Sequence, residues 1–246
     1  MRIQLYLVCR NEMVLLPHTV KHYRDNLGAD LEIIILDNYS NDDSRDLAEQ
    51  LGCNRIRTWG SLFEIDDFKL RNLKNDAWQH ETPEWVIMCD MDEWLCCTRE
   101  DLELEWAAGT HVLRTRGYEI IGKSQKITLN DIDLHSLNTG VFSKQMSKSI
   151  CFSPLRIREM NYSIGAHQCD PVPREEGAEV IWSTNNYVMK HMNFLGIPYI
   201  IQKNRSRYRR SKKMREQHQL ATHYRETNEE IINIYKSYLR WSSNII

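Results

Sequence analysis

Two carboxylates one residue apart, Asp90 and Asp92, close the apolar run WVIMC that ends at Cys89. The placement suits an oxygen-seeking divalent cation, because a tight turn with two carboxylates supplies hard ligands and leaves coordination positions for phosphate oxygens. Such a cation neutralises charge building on a departing diphosphate and lowers the barrier to transfer. A bare Asp-x-Asp is also the pattern of a solvated acidic turn, so its surroundings decide. Two more polar clusters follow apolar runs: Arg10-Asn11-Glu12, and Asp37-Asn38-Tyr39-Ser40-Asn41-Asp42. Parallel sheets bind ligands at the carboxyl ends of their strands, so one shared sheet makes the three clusters neighbours.

The elements that must position them alternate short β-branched runs with helix-like stretches, a pattern that predicts a single α/β domain over residues 1–246 with a mixed, mainly parallel sheet flanked by helices. Strands are expected at 3–9, 31–36, 55–58 and 85–89. Helices are expected at 15–27, stopped by Gly28, at about 43–51, and at 66–80, with Pro83 ending the last. Further on, 112–121, 126–129 and 199–202 read as strands, 153–165 is ambiguous, and 205–241 reads as mainly helix. Asp42 serves either the site or the start of the second helix.

At 246 residues, 41% hydrophobic and 27% charged, the chain has the composition of a folded globular protein and not of a disordered or fibrous one. Its 7 cysteines are odd in number and contain no C-x-x-C pair, so they read as reduced, mostly buried thiols. With no apolar run of roughly 20 residues and no signal-peptide pattern, the expected location is the cytoplasm. The net charge of −2 conceals a basic stretch, 203–215, in which eight residues are Lys or Arg and none is acidic. There is no G-x-x-x-x-G-K-[ST] and no G-x-G-x-x-G, so a nucleotide would be gripped by carboxylates, metal and basic side chains. His18 and His22 lack the Glu of H-E-x-x-H, and His218 and His223 are poorly spaced for one helical face.

The stretches LYLVCRNEMVLLPHTVKHY, LEIIILDNYSNDDS and WVIMCDMDEW, with their spacing, resemble the nucleotide-binding half of family 2 and related GT-A glycosyltransferases. IREMNYSIGAHQCDP, MKHMNFLGIPYIIQKNRSRY and ATHY are similar to the acceptor-side half of small bacterial and viral members of that group. The resemblance implies a nucleotide-sugar half at 1–95, an acceptor half at 96–224 and a C-terminal helix at 225–246. It implies a metal-dependent, inverting transferase of hexosyl or deoxyhexosyl groups that uses Mn2+ or Mg2+. The implied partners are a nucleoside diphosphate sugar and a glycan or lipid-linked glycan, with no nucleic acid and with peripheral contact at the inner membrane face as an option.

Carried over position by position, the resemblance has Asp37 receive the donor base or ribose, Asp90 touch ribose or metal, and Asp92 ligate the metal with His191 as third ligand. Lys69, Arg71 and Asn72 stand where the family has a basic residue near the diphosphate, and Arg71 is the candidate taken. The family turn D-D-G-S-x-D here lacks its second acid and its glycine. Inversion requires a base for the acceptor hydroxyl, and Glu159 or Asp170, flanking the matched His167, are the candidates, ahead of Glu93, Glu175 and Glu176. Trp94, Trp182 and Tyr187 are candidates for the acceptor cleft. The basic stretch reads in three ways: an arm closing on the diphosphate through Arg205, Arg207 or Arg210; a dock for phospholipid or a phosphate-bearing lipid; or a solvated helix face. The alternatives in other classes are a sugar nucleotidyltransferase, which lacks its glycine-rich phosphate loop here, and a nucleic-acid-binding module resting on 203–215.

Overall fold

The computed structural model describes residues 1–53 and 55–245, the side chain of His223 excepted. Four parallel strands form the centre: β1 (Ile3–Cys9), β2 (Glu32–Asp37), β3 (Arg55–Thr58) and β4 (Trp85–Asp90). They lie in the order β4-β1-β2-β3, with β1 between β2 and β4. Their side chains alternate between two apolar layers. Leu5, Leu7, Ile33, Ile35, Ile87 and Cys89 point to one layer, and Tyr6, Ile34, Leu36, Val86 and Met88 to the other. Burial on both faces is why these runs read as unbroken apolar segments.

α1 (Leu16–Leu27), α2 (Ser44–Gln50) and α3 (Asp67–Asp76) connect the parallel strands. α1 carries Pro17 in its first turn and stops at Gly28, whose φ is 102°. It pins the segment after β4: the Thr19 hydroxyl donates to the Met91 carbonyl at 2.8 Å, and the Tyr23 hydroxyl to the Glu93 carbonyl at 2.8 Å. β5 (Glu93–Cys96) and α4 (Arg99–Ala107) follow, the helix opened by a reciprocal Thr98–Asp101 capping box.

The second half extends the same sheet. β6 (Val112–Ile121) pairs in parallel with β11 (Trp182–Phe194), and β11 pairs antiparallel with β5. β7 (Thr139–Phe142), β8 (Cys151–Phe152) and β12 (Ser243–Asn244) complete it, while β9 (Ile157–Glu159) and β10 (Val172–Pro173) form a separate hairpin. α5 (Ile197–Arg210), α6 (Lys212–Gln217) and α7 (Asn228–Trp241) close the chain. The mixed, mainly parallel sheet with flanking helices is the α/β architecture expected from the sequence.

Two predicted strands are otherwise. Residues 126–129 form a turn, because the Asp131 carboxylate accepts from Ser124 and from the Gln125 backbone and draws the loop onto itself. Residues 199–202 lie inside α5, where Pro198 in the first turn sets a helical φ. Among the described residues no helix is long and apolar enough to cross a membrane.

Candidate active site

Register brings the three polar clusters together. Cys9 pairs with Asp37 and Val8 with Asp90, so Arg10, Asp37 and Asp90 emerge at the same edge of adjacent strands. Asp37 is fully buried. Its carboxylate accepts from the Ser40 backbone N–H at 3.1 Å and pairs with Arg45 at 3.0 Å. Where the family turn has glycine, Tyr39 adopts a φ of 55° and leaves its ring 46% exposed. Asp42 accepts from the Ser44 backbone and so stabilises the turn into α2.

Asp90 ends β4 and is gripped from beneath. Lys74 Nζ, fully buried on α3, lies 2.8 Å from its Oδ1. Burial opposes ionisation of both groups. The neighbouring carboxylates of Asp90 and Glu93 nevertheless hold the Lys74 proton on more tightly than in a free lysine, while Lys74 and Lys148 hold the Asp90 carboxyl below its ordinary range. Glu93 accepts from the Asp90 backbone N–H at 3.0 Å and from Lys148 at 2.5 Å.

Asp92 is the meeting point of the two halves. Around its buried Oδ2 stand His191 Nε2 at 3.3 Å, Arg207 Nη2 at 3.5 Å and the ammonium of Lys203. Burial alone would raise the carboxyl; Lys203, His191 and Arg207 overcome it and hold Asp92 well below the usual range. The other ring nitrogen of His191 lies 2.7 Å from Glu119. Burial disfavours the imidazolium, but Glu119 and Asp92 lift the ring to about 9. Glu12 faces the same charges and is pushed up to about 7, chiefly by burial, with Lys203 opposing and Asp92 assisting.

Asp92 and His191 are spaced as two ligands of one divalent cation would be. Ligands at right angles on an ion with bonds of about 2.1 Å stand about 3 Å apart, close to the 3.3 Å between Asp92 Oδ2 and His191 Nε2. A metal-ligating histidine commonly donates its second ring N–H to a carboxylate, and Glu119 occupies that place. Among the described residues no group of three or more His, Cys, Asp or Glu stands ready-made to hold an ion. A cation held here would take the place of the Lys203 ammonium on Asp92.

The other predicted residues lie elsewhere. Arg71, on α3, donates to Asn72 and lines a hollow with Asn75, Gln79 and Glu159. Glu159 is half exposed and paired with Arg158 at 3.4 Å. Asp170 is exposed, and its backbone carbonyl accepts from Asn161. Arg205 lines a groove between α5 and α7 with Tyr208 and Arg209. At about 100° per residue, position 205 is some 200° round the helix from Lys203, whereas Arg207 is one turn on. Arg210 donates to the Ser61 and Glu64 carbonyls. Trp94 is core, its indole donating to Thr19; Tyr187 is core, its hydroxyl donating to Glu105. Trp182 is half-buried against Arg114. The side chain of His223 lies outside those the structure describes.

Lys74, Lys148, Lys203 and Glu119 were not selected from sequence as site residues. Lys203 and Arg207 carried a usable signal, being one turn apart in the matched stretch. Lys74 carried one too, a lysine four residues before Trp78 on the apolar side of a helix.

No family model matches the chain, and no curated protein does. Solved structures do. Staphylococcus aureus TarS aligns at 10% identity and a TM-score of 0.48 over 78% of this chain and 37% of its own. A TarS 1–349 structure in complex with UDP-GlcNAc aligns at 12% identity and a TM-score of 0.43, over 78% and 60%. The mannosyltransferase PcManGT from Pyrobaculum calidifontis, in complex with GDP-Man and Mn2+, aligns at 16% identity and a TM-score of 0.32, over 52% and 38%. The chain thus spans 37% and 60% of the two TarS chains. Likenesses this distant leave the functional reading to the site itself.

Proposed function

We propose that this chain is a metal-dependent, inverting glycosyltransferase that moves a hexosyl or deoxyhexosyl group from a nucleoside diphosphate sugar to a hydroxyl of a glycan or lipid-linked glycan. The observation that carries the reading is Asp92: a buried carboxylate just past a parallel strand, with a carboxylate-backed imidazole on one side and two cations of α5 on the other. One set of groups suits a divalent cation and the other suits phosphate oxygens.

Asp90, Asp92 and His191 would hold Mn2+ or Mg2+, which when bound supplies positive charge to the leaving diphosphate. Lys203 and Arg207, released from Asp92, stand within reach of phosphate oxygens, where an arginine contacts two at once. Lys74 keeps Asp90 ionised and oriented. Asp37, fully buried and fixed by Ser40 and Arg45, stands at the neighbouring strand end, where a ribose or base would reach its carboxylate only as Arg45 gives way. Several of the eight cations of 203–215 are engaged by the chain itself. Lys203 and Arg207 turn inward, Arg210 holds the 61–64 loop and Arg215 donates to the Tyr208 carbonyl, which leaves Arg205, Arg209, Lys212 and Lys213 exposed and favours the diphosphate reading for the inward pair.

The test is release of UDP or GDP from UDP-glucose, UDP-GlcNAc and GDP-mannose in Mn2+ buffer. The reading expects release from one donor, cut at least about 100-fold by Asp92→Asn, the scale of losing one charge-stabilising group. Full turnover by Asp92→Asn in metal-limited buffer overturns it.

A further inference from the structure

His167 is held in a way that neither the metal site nor the packing of the core requires. It follows the 3-10 turn Ile164–Ala166 on the loop joining β9 to β10, and its side chain is exposed. Three residues of this loop have positive φ: Asn161 at 49°, Gly165 at 74° and Ala166 at 53°. Such backbone persists only where its surroundings over-determine it. The loop is closed by Ser163 N–H donating to the Gln168 carbonyl at 2.9 Å. It is tied to α3 by Tyr162 N–H donating to Asn75 at 2.8 Å, and to the β7–β8 connection by the Tyr162 hydroxyl donating to the Ser149 carbonyl at 2.8 Å.

The imidazole lies over Gly165. A Cβ there would come within 2.7 Å of both Cδ2 and Nε2 and push the ring aside, and the φ of 74° itself favours glycine. On the other side Nδ1 is 2.9 Å from the Gln145 carbonyl oxygen. A carbonyl only accepts, so Nδ1 carries the hydrogen and the neutral ring presents a bare Nε2 lone pair. Gln145 is itself fixed: Ser143 N–H donates to the Gly117 carbonyl at 2.9 Å, and Gly117 N–H to the Ser147 hydroxyl at 3.0 Å. Three residues beyond Gln145, Lys148 grips Glu93, which accepts from the Asp90 backbone. A continuous run of contacts therefore joins the ring to the Asp90 turn.

We propose that His167, through Nε2, is the catalytic base that takes the proton from the acceptor hydroxyl. The proposal rests on the transferase reading above. The acceptor oxygen forms a bond to the anomeric carbon as the bond from that carbon to the diphosphate oxygen breaks. The bonding pair leaves with the nucleoside diphosphate, and the hydroxyl proton passes to Nε2, giving an imidazolium that Gln145 still orients. The charged groups facing the ring are Lys148 from the β7–β8 connection, Glu93 from β5 and Lys74 from α3. Partial burial, then Lys148, holds the ring below its ordinary value, with the Gln145 hydrogen bond and Glu93 opposing, a direction that favours the neutral ring. Glu159 has Arg158 as its partner, and neither it nor Asp170 has such a seat.

Two measurements test this. Long-range 1H–15N NMR of the wild-type protein at neutral pH is expected to show His167 as the Nδ1–H tautomer; a protonated Nε2 overturns the proposal whatever the activity. His167→Ala and His167→Asn, with UDP or GDP and Mn2+, are expected to keep the nucleotide-induced thermal shift while release from the corresponding donor sugar falls about 100- to 10,000-fold in kcat, leaving donor KM within about threefold. Unchanged kcat with binding intact overturns the base alone. A folded wild-type protein that binds no nucleotide and turns over no donor overturns the transferase reading, and the base with it.

Discussion

Tyr39 shows how a single residue can set stability against binding. A side chain at φ of 55° costs about 1–2 kcal/mol relative to glycine. That strain leaves an exposed ring beside Asp37, where a nucleotide base stacks in the proposed site. Tyr39→Gly is therefore expected to raise Tm by about 2–4 °C, the shift of about 1 kcal/mol in a chain of this size, and to weaken nucleotide binding in the same titration. A glycine variant that binds as tightly as wild type contradicts the role of the ring. Lys74 makes the opposite case. Lys74→Met leaves Asp90 without its cation and is expected to cost about 3 kcal/mol in urea unfolding, the lower end for breaking such a pair, because Asp90 is 29% exposed. Loss below about 1 kcal/mol would reduce the pair to a surface contact.

At the scale of elements, the front half was legible in sequence because its strands are short, apolar and separated by helices with clear ends. Ile3–Cys9, Arg55–Thr58 and Val112–Ile121 stand where the pattern put them. The long strand Trp182–Phe194 did not stand out, since Thr184, Asn185 and Asn186 interrupt its apolar alternation and a register shift between His191 and Phe194 changes which residues point inward. Missing it hides the pairing that sets His191 opposite Glu93 on one neighbour and Glu119 on the other. The first-half carboxylates were readable from local spacing. Lys203 was not singled out, because its partner Asp92 lies 111 residues away and an amphipathic basic helix looks alike whichever face is buried. Central-strand packing is testable in the same terms: Ile35→Ala, fully enclosed between layers, is expected to cost about 2–5 kcal/mol.

Across the whole molecule, one sheet joins the two halves, so Asp92 from one and His191, Lys203 and Arg207 from the other come together only in the folded chain. Far from the site, Arg55 binds Glu32 and Glu81 at the opposite end of the parallel strands. The hydrogen bond from Arg55, against the opposing effect of burial, holds Glu81 down to about 2 from an ordinary 4.5. A depressed carboxyl stabilises the fold above its unfolded value and stops doing so as pH falls through the folded one. Tm is expected to decline between about pH 4.5 and 2, and Glu81→Gln is expected to flatten that part of the decline. An unchanged slope would remove the network from the acid response.

The proposed donor site is assembled around Asp92. The most direct measurement is thermal stability with UDP, GDP, dTDP and CDP, each with and without Mn2+, on wild type and Asp92→Asn. A nucleotide at 100 times its dissociation constant adds about 2.7 kcal/mol to the folded state. A shift with one nucleotide that requires Mn2+ and disappears in Asp92→Asn is expected. No shift with any nucleotide in folded protein, or an equal shift in the variant, contradicts it.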